Sequence, residues 1–194
     1  TRDIILKDGN SLARYPDPQG YPALRELISE RLSTLRGLNT DPDSIYISGG
    51  AGGAIENLLE IFLDPGDTVL IEEFSYSGTL AMLLSRQANV VHIDCDDQGI
   101  IPESLEENLA KLSKENISPK FMYLISVYQN PIGATIPLER RKQIIELAQK
   151  YNVPILENES YADFRIDGDP LPAPMYELDD QDSVTYISAY TKFL

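Results

Sequence analysis

The sequence has few of the residues that form disulfide bonds and metal sites. Its 194 residues contain one cysteine, one histidine and no tryptophan. Cys95 alone cannot form an internal disulfide bond, so we expect a reducing, cytoplasmic location. Cys95 also has no second cysteine or neighbouring base to activate it, so we do not expect it to act as a nucleophile. His92 has no partner set for a metal site or a catalytic triad. We therefore expect a structural role for His92 and no bound metal.

Basic residues and long apolar runs are also scarce. The chain has 16 Lys and Arg against 31 Asp and Glu, which gives a formal net charge of -15. Nucleic acids and anionic membrane surfaces both require a positive face on their partners, so this charge argues against either as the main partner. No stretch is long and apolar enough to cross a bilayer, and the start of the chain does not resemble a signal peptide. A hydrophobic content of 42% still predicts a globular core.

The sequence does contain a regular alternation of strand-like and helix-like segments. Short β-branched or apolar runs alternate with amphipathic segments of about 10–15 residues, a pattern that predicts βαβ units. Helices on both faces of a mostly parallel sheet, in a three-layer α/β/α fold, are therefore expected. The predicted strands are 44–48, 68–73, 89–94, 120–127, 152–158 and 183–188. The predicted helices lie within 20–37, 49–67, 75–87, 102–116 and 137–151.

The residues that follow the predicted strands carry the functional prediction, because ligands of parallel sheets bind at the carboxyl ends of strands. In chain order these positions supply a glycine-rich turn, aromatic residues, an Asn-Pro turn, a phenol and a lysine. A glycine-rich helix start can bind phosphate, an aromatic ring can stack on a flat ligand, and lysine can form a Schiff base. Each feature has an ordinary structural explanation, but together they suit pyridoxal 5′-phosphate, PLP.

With these segments in this order, the sequence resembles the class I and II aminotransferases, which are fold-type I PLP enzymes. The most specific stretch is YQNPIGATIPLERRKQIIELA, which has an Asn-Pro-x-Gly turn before a Leu-Glu-Arg-Arg helix. The segments YPDPQGYPALRELISERL, GGAGGAIENLLEIFLDPGD, VPILENESYADFRIDG and YISAYTK also match in order and spacing. The resemblance is nearest to 2-aminoadipate and kynurenine-type aminotransferases and to the corresponding domains of MocR-type transcription regulators.

The resemblance implies a catalytic lysine and two residues that tune it. Lys192 is expected to form the imine with PLP and to carry the proton between the substrate α-carbon and the cofactor. Asn130 and Tyr161 are expected to donate hydrogen bonds to the oxygen of the cofactor ring and so to adjust the pKa of the imine.

The resemblance also implies contacts to the phosphate and to the ring face. Ala51 and Gly52 are expected to offer backbone N–H groups to the phosphate, and Tyr76 to stack on the pyridine ring. Tyr15 is expected to reach the phosphate of the neighbouring subunit, because the active site of this family lies at a homodimer interface.

Two positions depart from the family pattern. The family places aspartate at the ring nitrogen, and here that position is Asn158, which is neutral and should support a protonated ring poorly. Glu157 or Glu159 could substitute, but alternation along a strand directs their side chains away from the position of Asn158. The serine expected before the lysine is Ala189, which has no hydroxyl group for the phosphate.

The resemblance implies an N-terminal segment and helix at residues 1–36 and a PLP-binding major domain at 37–194. The C-terminal small domain of the family would follow Lys192 and lies outside these residues. The expected function is transfer of an amino group from an amino acid to a 2-oxo acid. The alternatives are a PLP-binding sensor domain of a MocR-type regulator, a degenerate non-catalytic homologue, or other PLP chemistry such as decarboxylation.

Overall fold

The computed structural model describes residues 2–10 and 14–192. The chain divides into two compact units, Thr1–Ser48 and Gly49–Leu194. Within the described ranges, no helix has both the length and the apolar character needed to cross a membrane.

The described residues of the first unit form two α-helices, α1 (Arg2–Asp8) and α2 (Pro22–Arg36). Proline at the start of α2 suits the first helical turn, where a missing N–H costs no hydrogen bond. The helix ends, as predicted, at Gly37, which has a φ of 71° and donates its N–H to the carbonyl of Ser33. Glycine reaches this left-handed conformation at low cost because it has no Cβ atom.

The predicted strand at 44–48 is wrong. Pro42–Ser44 form a 3-10 turn, and residues 45–48 have no regular secondary structure. The Asp41 side chain caps this turn, a conformation that Asp-Pro sequences favour. The N–H of Ile47 then donates to the carbonyl of Gln19, 2.8 Å away, and not to a strand of the sheet. The β-branched run is therefore extended, but its partner is a loop.

The second unit contains a parallel five-stranded sheet, and the predicted α/β fold is confirmed. The strand order is β2-β1-β5-β6-β7, with every pairing in the sheet parallel. Its strands are β1 (Thr68–Glu72), β2 (Asn89–Ile93), β5 (Met122–Ile125), β6 (Ile155–Asn158) and β7 (Val184–Ile187). A short antiparallel hairpin, β3 (Cys95–Asp96) and β4 (Gly99–Ile100), lies beyond β2 in the chain.

Two hydrophobic clusters cover the two faces of the sheet. Helices α3 (Gly50–Phe62) and α4 (Ser77–Ser85) contribute Ile55, Leu59 and Leu83 to one cluster, which includes Ile71 of β1. The other three helices of this unit contribute to the opposite cluster, which includes Leu70 of β1. They are α5 (Pro102–Lys114), α6 (Leu138–Lys150) and α7 (Met175–Leu178). Adjacent residues of β1 thus point to opposite layers, as strand geometry requires.

Candidate functional site

The candidate site lies at the carboxyl edge of the sheet, where the strand order reverses. The chain runs from β1 outward to β2, then returns to β5 and continues outward through β6 and β7. The reversal falls between β1 and β5, and open parallel sheets bind ligands at such a point. Predicted site residues follow β1, β5, β6 and β7, so four of the five expected strand ends are strand ends in the structure.

The glycine-rich turn lies beside the lysine segment. Helix α3 begins at Gly50, so the backbone N–H groups of Ala51 and Gly52 lie in its first turn, at the positive end of the helix dipole. Gly50 has a φ of +76°, and a Cβ added there would be 3.5 Å from Cγ2 of Thr191. Tertiary structure therefore brings the predicted phosphate turn next to the residue that precedes Lys192. The Lys192 side chain is exposed.

The residues predicted at the ring oxygen contact each other. Nδ2 of Asn130 lies 3.4 Å from the hydroxyl oxygen of Tyr161 and donates a long hydrogen bond to it. Asn130 comes from the turn after β5, and Tyr161 comes from the segment after β6. The Tyr161 ring is half-buried and packs edge-on against Phe164, with ring centroids 6.3 Å apart. The amide and the phenol can therefore act on one ligand atom.

Gln129, to which the sequence analysis gave no role, connects the Asn-Pro turn to the end of β1 through hydrogen bonds. Its side chain is 2% exposed, and its amide nitrogen donates to Oε2 of Glu72 and to the carbonyl of Phe74. Its amide oxygen accepts the N–H of Ile132 at 2.9 Å. Gln129 thereby fixes the turn that presents Asn130. The available signal was a polar residue in the turn after a buried strand, next to Asn130.

Tyr76 lies at the start of α4, after the end of β1, and its side chain is 46% exposed. Its ring covers Gly78 so closely that a Cβ added at Gly78 would overlap the ring atoms. The absence of a side chain at Gly78 therefore permits this ring position. Tyr15 lies in the first unit and is fully exposed.

Asn158, the last residue of β6, is 6% exposed, and its amide oxygen accepts two hydrogen bonds. Its Oδ1 accepts the backbone N–H of Ser160 at 2.9 Å and the Ser160 hydroxyl at 2.6 Å. Its Nδ2 donates to the hydroxyl of Tyr123 at 2.8 Å. Burial raises the pKa of the Tyr123 phenol, and its hydrogen bonds only partly oppose that rise. Sequence reasoning assigned no role to Tyr123, which lies inside β5, or to Ser160, because their contacts with Asn158 form only in the folded chain.

Glu157 and Glu159 are directed away from Asn158. Both carboxylates bind Arg141, whose Nη1 lies 3.3 Å from Glu157 and 2.9 Å from Glu159. The hydroxyl of Ser126 also donates to both. Burial and the Glu159 charge raise the pKa of Glu157 to about 7, although Arg141 lowers it. The alternation along β6 thus leaves Asn158 as the residue of this stretch that faces Tyr123.

Glu72, which is buried, and Cys95, which is half-buried, are two titratable groups near the same edge. Burial raises the pKa of Glu72 to about 8, although hydrogen bonds from the Ile125 N–H and from Gln129 favour the carboxylate. Its other oxygen, Oε1, is buried without a partner in the described part of the chain. Burial and the charge of Glu72 raise the pKa of the Cys95 thiol to about 11. Such a thiol is protonated at neutral pH and is a poor nucleophile.

These residues fit a flat, phosphorylated aldehyde at all but two positions, Ala189 and Asn158. The helix start at Gly50 suits a phosphate, the Asn130 and Tyr161 pair suits a ring oxygen, and Lys192 supplies the amine. Ala189 is buried and adds no hydroxyl group. Asn158 supplies a neutral amide, which, unlike a carboxylate, has no charge to balance a protonated ring nitrogen.

Comparison with known proteins agrees with this chemistry. The family described as aminotransferase class I and II matches residues 1–194. The aromatic-amino-acid aminotransferase 1 of Thermococcus litoralis is 29% identical over 194 residues, which is 100% of this chain and 46% of that protein. The uncharacterized HTH-type transcriptional regulator YdfD of Bacillus subtilis is 29% identical over 180 residues, which is 93% of this chain and 36% of that protein.

Solved aminotransferase structures also match this chain. An archaeal alanine:glyoxylate aminotransferase is 32% identical with a TM-score of 0.93, over 100% of this chain and 47% of that chain. The Pyrococcus horikoshii kynurenine aminotransferase, solved with PMP, KYN and KYA, is 30% identical with a TM-score of 0.91, over 100% of this chain and 47% of that chain. The chain therefore spans about half the length of the proteins that it matches.

Proposed function

This chain belongs to the class I and II aminotransferase family, and we propose that the protein binds PLP and transfers an amino group between an amino acid and a 2-oxo acid. The observation that carries the proposal is the position of the glycine turn at Gly50 beside Thr191, next to Lys192. A phosphate bound at this turn would thereby lie close to the lysine segment, in a chain whose whole length matches this family.

Each residue of the edge has a task in this proposal. Ala51 and Gly52 bind the phosphate through backbone N–H groups, which need no side-chain charge. Tyr76 covers the face of the ring. Asn130 and Tyr161 bind the ring oxygen.

The lysine performs the covalent and proton-transfer work. When bound, PLP supplies an aldehyde for amines and a ring that withdraws electrons from the substrate. The Nζ atom of Lys192 would hold the cofactor through that aldehyde and, once freed by the substrate amine, would move a proton at the substrate α-carbon.

The assembly, domain boundary and compartment are further parts of the proposal. Residues 37–194 would hold the cofactor, and residues 1–36 would form the segment that precedes that domain. A homodimer would allow Tyr15, which is fully exposed, to reach the phosphate of the neighbouring subunit. Exposed leucines of α2 also favour a covered surface in the assembly; they are Leu24, Leu27 and Leu35. One free cysteine is consistent with the cytoplasm.

Covalent labelling tests the proposal. The longest natural polypeptide that contains these residues is incubated with PLP, reduced with borohydride, digested and analysed by mass spectrometry. The cofactor mass should be found on the peptide that contains Lys192, and Lys192→Ala should lose both the label and amino transfer. Lys114→Ala, which removes an exposed lysine at the end of α5, should change neither. Full activity in the Lys192→Ala protein would overturn the proposal.

A second candidate is a PLP-binding sensor domain of a transcription regulator. The similarity to YdfD across 93% of this chain favours it, and Asn158 would suit a site that holds the cofactor with little catalysis. A sensor would retain PLP on Lys192 but would not convert PLP to the amine form when amino acids are added. A winged helix-turn-helix in the same polypeptide would also identify the regulator.

A further inference from the structure

Asn158 has one hydrogen-bonding group left for a ligand, and that group is a donor. A side-chain amide has an oxygen with two lone pairs and a nitrogen with two N–H groups. The Ser160 N–H and hydroxyl occupy both oxygen lone pairs, and the Tyr123 hydroxyl accepts one N–H. Among the described residues, nothing accepts the second N–H.

The backbone of Ser160 fixes which way the amide points. A backbone N–H can only donate, so the Asn158 atom that lies 2.9 Å from it must be the oxygen. The nitrogen consequently faces Tyr123 and cannot exchange places with the oxygen without setting two donors against each other. At 6% exposure, Asn158 also has little access to water that could compensate a reversed amide.

We propose that Asn158 donates a hydrogen bond to the cofactor ring nitrogen and keeps that nitrogen unprotonated, with Ser160 as the positioning residue. This inference rests on the proposed function. A pyridine nitrogen accepts a hydrogen bond only while its lone pair is free, and a protonated nitrogen would place its own N–H against that of Asn158. The amide therefore selects the neutral ring.

A neutral ring withdraws electrons from the substrate more weakly than a charged one, so removal of the α-proton by Lys192 becomes harder. The surroundings of residue 158 would nevertheless accept a carboxylate. The Ser160 N–H, the Ser160 hydroxyl and the Tyr123 hydroxyl could all donate to it, and such donors favour the ionised form. Asn158→Asp should therefore switch the ring to its protonated state without rebuilding the site.

The test is nitrogen NMR of the longest natural polypeptide loaded with PLP that carries ¹⁵N in the ring. The wild-type protein at neutral pH should give the chemical shift of a neutral pyridine, and Asn158→Asp should give that of a pyridinium. Asn152→Asp adds the same charge at an exposed turn and should leave the shift neutral. Ser160→Ala should also leave it neutral, because the backbone N–H that orients the amide remains.

The outcomes separate the inference from the proposed function. A pyridinium shift in the wild-type protein, or an unchanged shift in Asn158→Asp, would overturn the inference while cofactor on Lys192 still supported the proposed function. A protein that captured no PLP on Lys192 would overturn both.

Discussion

Arg141 and Glu159 form a fully buried ion pair: Nη1 of Arg141 lies 2.9 Å from Oε1 of Glu159, and neither side chain is exposed. The same guanidinium donates to the carbonyl oxygens of Ser126 and Ile136 at 3.0 and 2.9 Å. Arg141 thus joins the start of α6 to the ends of β5 and β6. The ion pair holds together the strand ends from which the Asn130 turn and Tyr161 extend.

Arg141→Met should destabilise the protein strongly. The change leaves Glu157 and Glu159 buried without their guanidinium partner, which costs about 3–5 kcal/mol in comparable sites. Urea unfolding measures the loss. Arg140→Met, one residue earlier, removes the partly exposed Arg140–Asp96 pair and should cost about 1 kcal/mol or less. Equal losses in the two variants would contradict this account of Arg141.

Glu72→Gln should flatten the pH dependence of stability. The pKa of Glu72 is raised by burial from 4.5 to about 8, so between these values the folded state binds a proton that the unfolded state has lost. The stability that protonated Glu72 adds to the folded state is therefore fully present below pH 4.5 and is lost as the pH rises to about 8.

Unfolding free energies across this range measure the effect, which amounts to about 1.4 kcal/mol for each unit of pKa shift. Glutamine resembles the protonated acid and should keep the bonds to Ile125 and Gln129. Glu157 titrates in the same direction in both proteins, so the difference between them isolates Glu72. Glu73→Gln, at the exposed next position, should preserve the wild-type slope. Parallel curves for wild type and Glu72→Gln would refute the assignment.

Gly78→Ala should weaken PLP binding by displacing the Tyr76 ring. The added Cβ would overlap the ring, and loss of an aromatic contact costs about 0.5–1.5 kcal/mol, which is roughly a 2- to 10-fold rise in Kd. Absorption titration measures Kd. Tyr76→Phe retains the ring and should bind normally. In a Tyr76→Ala background, Gly78→Ala should weaken PLP binding little further. If the two substitutions instead gave fully additive losses of affinity, Gly78 would affect binding independently of the Tyr76 ring.

Tyr161→Phe should raise the pH at which the spectrum of the lysine-bound cofactor changes. A phenol that donates to the ring oxygen stabilises the deprotonated chromophore, so removing the donor favours protonation. Spectrophotometric titration in the visible range measures the midpoint. Tyr151→Phe, at the end of α6, should not move it. A midpoint that stays fixed or falls in Tyr161→Phe would exclude this role for the Tyr161 hydroxyl.

The order of helices and strands could be predicted from the sequence because its signals are local. β-branched and apolar runs define the five strands of the sheet, and Pro22 and Gly37 mark the ends of α2. The helices and strands depend on backbone preference and periodicity, which neighbouring residues determine. The motif around Asn130 and the position of Lys192 were also visible in the linear sequence, through its resemblance to a family.

Tertiary structure decided the contacts that join distant parts of the chain. The run at 44–48 had strand composition, but its pairing with Gln19 depended on a loop far away in sequence. Gln129 meets Glu72 across 57 positions, and Asn158 meets Tyr123 across 35. Which polar groups become buried together, and therefore which way the Asn158 amide points, depends on the packing of separate strands. A sequence pattern specifies which face a residue occupies, whereas its hydrogen-bond partner is determined only when the strands assemble.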